Sequence, residues 1–294
     1  MLSSSELQHI EVKLEEALGD NHHIIDQGPV SGGDINETHA ITTTAGKFFL
    51  KKNSASAFPG MFEAEDKGLG LLHEHSSLNV PRVIHQFQID DWDYLLMSFL
   101  ERGSQKDDFW EDFGMKLANM HRQTQNSFGL DHSNYIGSLS QVNEARSEWE
   151  SFFIEMRIEP MVKRAVDSGR IPKIDLAEFD KLFRLLQDFF PQEPSAFIHG
   201  DLWNGNYSVA SDGYATIYDP AVYFGHREMD LGMSRLFGGF SPEFYESYHQ
   251  TYPLESGWEQ RLDVANLYPL LVHVNLFGGG YYSSAKAVIR RFTQ

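Results

Sequence analysis

Residues 199–219 read HGDLWNGNYSVASDGYATIYD. Asp212-Gly213 is a turn signal between two short runs, so the stretch predicts a β-hairpin. Asp201 and Asn206 lie before the hairpin and Asp219 at its far end. Folding it back brings Asn206 and Asp219 close together, beside Asp201. An amide oxygen and a carboxylate from two strand ends suit a magnesium ion, which keeps water and phosphate oxygens for its other positions. Asp201, left free of metal, is placed to accept a hydroxyl proton. A single Asp in a loop more often satisfies backbone N–H groups. Three such residues at this spacing point instead to phosphoryl transfer, and that chemistry asks for a cation and a phosphate-binding loop elsewhere in the chain.

The first hundred residues offer both. Lys47-Phe48-Phe49-Leu50-Lys51-Lys52 reads as a strand, and a helix follows from about Met61 to His75. Phe62, Leu69 and Leu72 share one face of that helix, and Glu65 falls on the same face. A carboxylate on an apolar face is costly unless paired. Lys51 with Glu65 is therefore the expected ion pair, with Lys52 the competitor on the opposite face of the strand. Upstream, Gly32 and Gly33 of Ser31-Gly32-Gly33-Asp34 sit at the first bend of a β-meander, where backbone N–H groups can approach a phosphate. Taken alone, an ordinary hairpin turn is the simpler reading of that pair. Ser5 and Gln8 read as a capping box opening a first amphipathic helix that Gly19 ends. Residues 38–43, 47–52, 83–89 and 94–100 read as strands, preceded by one more before Val30. The expectation for 1–100 is five strands with one inserted helix, followed by a hinge at Glu101-Arg102-Gly103-Ser104.

Composition narrows the rest. A chain of 294 residues can hold two lobes with separate cores. The absence of cysteine excludes disulfides, thiolate nucleophiles and cysteine-ligated metal. A formal charge of −18 opposes non-specific binding to nucleic acid or anionic membranes. With no signal-peptide pattern and no apolar run of spanning length, the cytoplasm is the expected location. Residues 101–294 read as mainly helical. Phe109, Phe113, Leu117 and Met120 mark one helix that ends at His121, read as a packed core histidine. Residues 148–166 and 175–190 mark two more. Arg157 stands among apolar residues, either paired with Glu155 or Glu159 or lining a pocket, and the sequence leaves both open. Asp230 either opens a helix as an N-terminal charge or accepts hydrogen bonds from the loop at His199.

Beyond these patterns, HGDLWNGN followed by YDPAVYFGHREMDLGMSRLFGGF resembles the fructosamine kinase (ketosamine 3-kinase) family. That family is a branch of the protein-kinase-like superfamily that includes aminoglycoside and choline phosphotransferases. The resemblance extends to SGGDIN, FFLKKN, the FEAE helix, LANMH, FFIEMRIEP and NLYPLLVHVNLFGG. It implies an α+β, bilobal, protein-kinase-like fold: a small antiparallel β-sheet lobe at 1–100 for nucleotide phosphates and a larger, mainly helical lobe at 101–294 for catalysis, metal and substrate. It implies Asp201 as base, Asn206 and Asp219 as magnesium ligands, Lys51 on ATP phosphates and Glu65 holding Lys51. Gly32 and Gly33 belong to the phosphate loop and Met97 to Leu100, with Met97 and Phe99, to the adenine-facing segment. His199 and Asp230 support the catalytic loop. Asn204 stands where serine is expected, and Asp34 is an acid inside the phosphate loop.

The resulting expectation is ATP- and magnesium-dependent phosphorylation of the 3-hydroxyl of a ketosamine in deglycation repair. Trp203 is a candidate wall of the sugar pocket or, equally, a core tryptophan tying the loop down. A kinase acting on an aminoglycoside or choline, and a catalytically silent nucleotide-binding protein, are the alternatives. The expected partner is a free or protein-linked ketosamine, not nucleic acid or membrane, and the sequence is silent on oligomeric state.

Overall fold

A computed structural model describes residues 1–19, 22–30 and 35–293. Gly32, Gly33 and Asp34 lie outside the described residues. The chain divides into two units. Met1–Glu74, Leu78–Phe109 and Tyr207–Tyr218 form the first; His75–Ser77, Trp110–Asn206 and Asp219–Gln294 form the second. The boundary expected at residue 100 falls inside the first unit, which also takes the hairpin that follows Asn206.

Strand alternation builds the first unit. Helix α1 (Ser4–Leu18) precedes strands β1 (Ile24–Pro29), β2 (Glu37–Thr43) and β3 (Gly46–Ser54), helix α2 (Met61–His75), and strands β4 (Val83–Ile89) and β5 (Trp92–Ser98). All neighbouring strands are antiparallel, in the order β1-β2-β3-β5-β4. Phe48 and Leu50 of β3 are buried with Ile10 and Leu14 of α1 and with Ile41, Tyr94 and Leu96. Lys51 is one residue out of phase with that set and stands opposite Leu95 in register, so its side chain leaves from the other face. The strand expected at 94–100 ends at Ser98, and Phe99 follows it.

Two local expectations are corrected. The cap of α1 is Ser3, not Ser5: Ser3 Oγ accepts from Glu6 N, and Glu6 Oε2 accepts from Ser3 N at 2.7 Å. A carboxylate at the third helical position is a stronger acceptor than the Gln8 amide and favours the helix dipole. The stretch expected as a hinge pairs instead with the hairpin. Arg102 bridges Ala210, Gly103 N donates to Val209 O at 3.1 Å, and a Cβ on Gly103 would lie 2.3 Å from Ala210 O. The hairpin itself joins Tyr207–Val209 to Ala215–Ile217, with Tyr207 opposite Ile217. Asp212 Oδ1 accepts from Tyr214 N and closes the turn.

The second unit is mainly helical. The helix expected at 148–166 is interrupted: Trp149–Phe152 is α, Phe153–Ile158 is a π turn, and Glu159–Asp167 is α again. The helix expected at 175–190 is shorter, Leu176–Leu186, after a 3-10 turn at Lys173–Asp175. A small sheet orders Tyr223–Gly225, Ser195–Ile198 and Thr124–Gln125. Phe152, Ile158, Leu182, Ile198, Leu267 and Leu271 are among its buried core. Among the described residues, no helix is long and apolar enough to cross a membrane.

Candidate active site

In the first unit, β3 and α2 present opposite charges to each other. Lys51 is 4% exposed, and its Nζ lies 2.5 Å from Glu65 Oε1. The pair follows from two periods meeting: Lys51 on the strand face turned from α1, Glu65 on the apolar face of α2. Lys52 leaves on the α1 side, where it meets Glu6 at 2.9 Å and lies 4.0 Å from the centre of the Trp92 ring. Burial opposes the charge of Glu6, yet hydrogen bonds from Ser3, Lys52 and Tyr94 win and hold its carboxyl down to about 2. Met97 is opposite Phe49 in register and shares the Lys51 face. Phe99 is half-buried, with Lys47 Nζ 5.6 Å from its ring centre.

In the second unit, the loop after Ser195–Ile198 is built around a buried carboxylate. Asp230, on the helix Glu228–Leu236, accepts from His199 N at 2.7 Å and from Gly200 N at 2.8 Å. It also meets His121 Nε2 at 3.2 Å. Burial alone would raise its pKa, but the hydrogen bonds from His121 and from the His199 backbone outweigh it and keep the carboxyl below its ordinary value. Burial pushes His121 down, toward the neutral form. A neutral ring that donates from Nε2 to Asp230 takes the Tyr248 hydroxyl, 2.7 Å away, at Nδ1. Gly200 turns the loop at φ 83°. A Cβ there would also lie 2.1 Å from Ala221 O, so a side chain is excluded by strain and by space.

This turn delivers Asp201. Asn206 Nδ2 donates to Asp201 Oδ2 at 2.8 Å and to Asp201 O at 2.9 Å. Desolvation, with the charges of Asp219 and Asp230, pushes the Asp201 carboxyl up to about 7 against the Asn206 hydrogen bond. Asp219 stands at φ 55°, a left-handed conformation that costs a non-glycine residue about 1–3 kcal/mol and persists only where surroundings impose it. The Asn206 nitrogen is committed to Asp201, which leaves the amide oxygen as its acceptor. That oxygen and the Asp219 carboxylate are hard donors of the kind magnesium takes, with phosphate and water completing the shell. Among the described residues, no group of three or more His, Cys, Asp or Glu could hold a metal ion.

Trp203 is half-buried, its ring edge-on to Phe237 at 5.8 Å. It covers Gly205, where a Cβ would lie 2.3 Å from Trp203 Cζ2. Asn204 is exposed and donates to Phe237 O at 3.1 Å. Arg157 pairs with neither Glu155 nor Glu159. It is fully buried and donates to Val142 O and Asn143 Oδ1 at 2.7 and 2.6 Å, while Glu155 meets Arg146. His121, read as a plain core residue, turned out to hold Asp230. Its place at the end of a helix gave no sign of a partner 109 residues on.

The sequence profile of the family described as fructosamine kinase matches residues 6–294. A probable ketoamine kinase of Enterococcus faecium is 38% identical over 269 residues, 90% of this chain and 94% of that protein. A chloroplastic protein-ribulosamine 3-kinase of Arabidopsis thaliana is 38% identical over 271 residues, 89% of this chain and 81% of that protein. The crystal structure of a putative fructosamine-3-kinase from Haemophilus somnus superimposes with a TM-score of 0.88 at 30% identity, covering 97% of each chain. An aminoglycoside phosphotransferase solved with AMP-PNP and hygromycin B shares the fold, with a TM-score of 0.59 at 15% identity over 96% of this chain and 98% of that one.

Proposed function

Because the chain belongs to the fructosamine kinase family, we propose that it uses ATP and magnesium to phosphorylate the 3-hydroxyl of a ketosamine. The observation that carries this reading is the placement of Asp201, whose carboxylate accepts from Asn206 on a loop whose backbone N–H groups Asp230 holds. Asp201 takes the proton of the acceptor hydroxyl as its oxygen attacks the γ-phosphorus of ATP, and ADP leaves. Lys51, held by Glu65, binds ATP phosphates, a role to which Gly32 and Gly33 contribute. Met97 and Phe99 face the adenine. Asn206 and Asp219 hold the magnesium ion, which when bound neutralises charge on the phosphates. Trp203 forms one wall of the sugar site.

The relatives named for ketoamine and ribulosamine support a ketosamine as acceptor. A phosphate at the 3-position makes such a compound prone to break down and release its amine, so the role is deglycation repair in the cytoplasm. The test is ADP release with ribulosamine, fructosamine, kanamycin and choline, with mass-spectrometric detection of the phosphorylated product. Turnover is expected with one or both ketosamines. Turnover with kanamycin or choline alone would overturn the substrate, and no turnover with any acceptor would overturn the reading as a kinase of this class.

A further inference from the structure

Asp219 holds a conformation that its own backbone disfavours, so something must fix the chain around it. Immediately after it, Ala221 N donates to His199 O at 3.0 Å. The carbonyls of Ala221 and Val222 then point at side chains distant in sequence. Gln141 Nε2 donates to Ala221 O at 3.1 Å, and Asn134 Nδ2 donates to Val222 O at 2.8 Å. Gln141 and Asn134 are register partners across the short hairpin of Asn134–Ile136 and Leu139–Gln141, which sets their two amides side by side.

These amides are themselves fixed. Gln141 Nε2 also donates to Asn134 Oδ1 at 2.8 Å, and Gln141 Oε1 accepts from Tyr268 Oη at 2.7 Å. Asn143 Nδ2 donates to the same Asn134 oxygen at 3.0 Å and Asn143 Oδ1 accepts from Arg157. The π turn Phe153–Ile158 carries Arg157. Its guanidinium lies 4.0 Å from the centre of the Tyr223 ring, four residues past Asp219. Gln141, Asn143 and Arg157 are at most 1% exposed. The charge of Arg157 is met by carbonyl and amide oxygens and by aromatic faces rather than by a carboxylate. Burying a guanidinium in this way is expensive, and an apolar side chain would fill the same space at lower cost. What apolar packing would not supply is a set of directed hydrogen bonds onto the two peptides beyond Asp219.

We propose that the buried series Tyr268–Gln141–Asn134–Asn143–Arg157 is a positioning device that fixes the Asp219–Val222 backbone and so presents the Asp219 carboxylate to the metal–nucleotide complex. The inference rests on the kinase reading, in which Asp219 is a metal ligand. Gln141 is the residue to test, because it alone joins Tyr268, Asn134 and the Ala221 carbonyl. Support groups behind a metal ligand are typically worth about 10–100-fold in metal affinity.

The experiment is a Mn²⁺ titration followed by electron paramagnetic resonance, with AMP-PNP present, on the full chain. AMP-PNP affinity in EDTA is measured in parallel. In Gln141→Met, Mn²⁺ binding is expected to weaken at least about tenfold, while metal-free nucleotide affinity stays at the wild-type value. Tyr268→Phe, which removes one oxygen and keeps the ring, is expected to act in the same direction by a smaller factor; it decides the matter if Gln141→Met does not fold. Wild-type Mn²⁺ affinity in the folded variants, or equal losses with and without metal, would overturn the positioning role. Asp219→Asn separates the two layers. If it binds Mn²⁺ as tightly as wild type, the metal-ligand reading has failed. If it weakens binding while Gln141→Met and Tyr268→Phe do not, only the positioning inference has failed.

Discussion

Lys51 and Asp201 are both candidate reactive groups, yet they are held in different ways. Lys51 is held at its tip. A long side chain from a strand reaches a carboxylate on a helix, and the contact is one charge against another. Asp201 is held through its backbone. Asp230 grips the two preceding N–H groups, Gly200 packs against the Ala221 peptide, and Asn206 then sets the carboxylate itself. A tip contact tolerates a shift of backbone because the side chain can follow. A backbone grip transmits any shift to the reacting atom, where about 1 Å of misplacement can cost about 100-fold in rate.

The contrast can be broken by mutation, and the largest effect belongs to the reacting group. Asp201→Asn should lower ketosamine-dependent ADP release by about 10³-fold, the range of a lost general base, with Tm nearly unchanged; turnover at the wild-type rate would remove Asp201 from the base role. Asp230→Asn comes next. An amide can accept from one N–H but sets its NH₂ against the other, so kcat should fall about 100-fold with KM for ATP little altered. An equal change in kcat and KM for ATP would show that the backbone grip serves no special purpose. Glu65→Gln should raise KM for ATP by about tenfold, as expected for a charge-assisted contact worth about 1.5 kcal/mol, and leave kcat closer to wild type. Lys52→Met is the control on the opposite strand face. KM for ATP should stay within about twofold, while unfolding free energy falls by about 1 kcal/mol through the lost contact with Glu6. A rise in KM for ATP from Lys52→Met as large as that from Glu65→Gln would mean that strand phase does not separate the two lysines.

The same contrast explains what the sequence could show. The five strands, the inserted helix and the Lys51–Glu65 pair rest on periods of two and 3.6, which persist in any window of ten or so residues. The hairpin was marked by Asp212-Gly213, a local turn signal. Asp230 was open to two readings because its partners lie 30 and 31 residues upstream. His121 and Tyr248, 109 and 18 residues from Asp230, form the rest of its support, and no periodicity links such positions. Gln141 went unremarked for the same reason. Arg157 was open between an acid on its own helix and a pocket wall, whereas the π turn carries it to carbonyls and amides of another segment. The cap slipped from Ser5 to Ser3 because three consecutive serines give equal cues, and only the position of Glu6 distinguishes them.

The assignment of Tyr207–Tyr218 to the first unit bears on how the molecule can be dissected. A fragment ending after Phe109 would keep the five-stranded sheet but lose the hairpin that pairs with Asn79, Arg102, Gly103 and Lys106 through backbone hydrogen bonds and bridges. Its complement would carry the twelve-residue hairpin without the backbone partners that it has in the first unit. A single nick in the turn at Asp212-Gly213, by contrast, would sever the covalent chain while leaving both hairpin strands paired to their partners. Limited proteolysis there should yield two pieces that remain associated, whereas separate expression of the halves should yield neither as a well-behaved monomer.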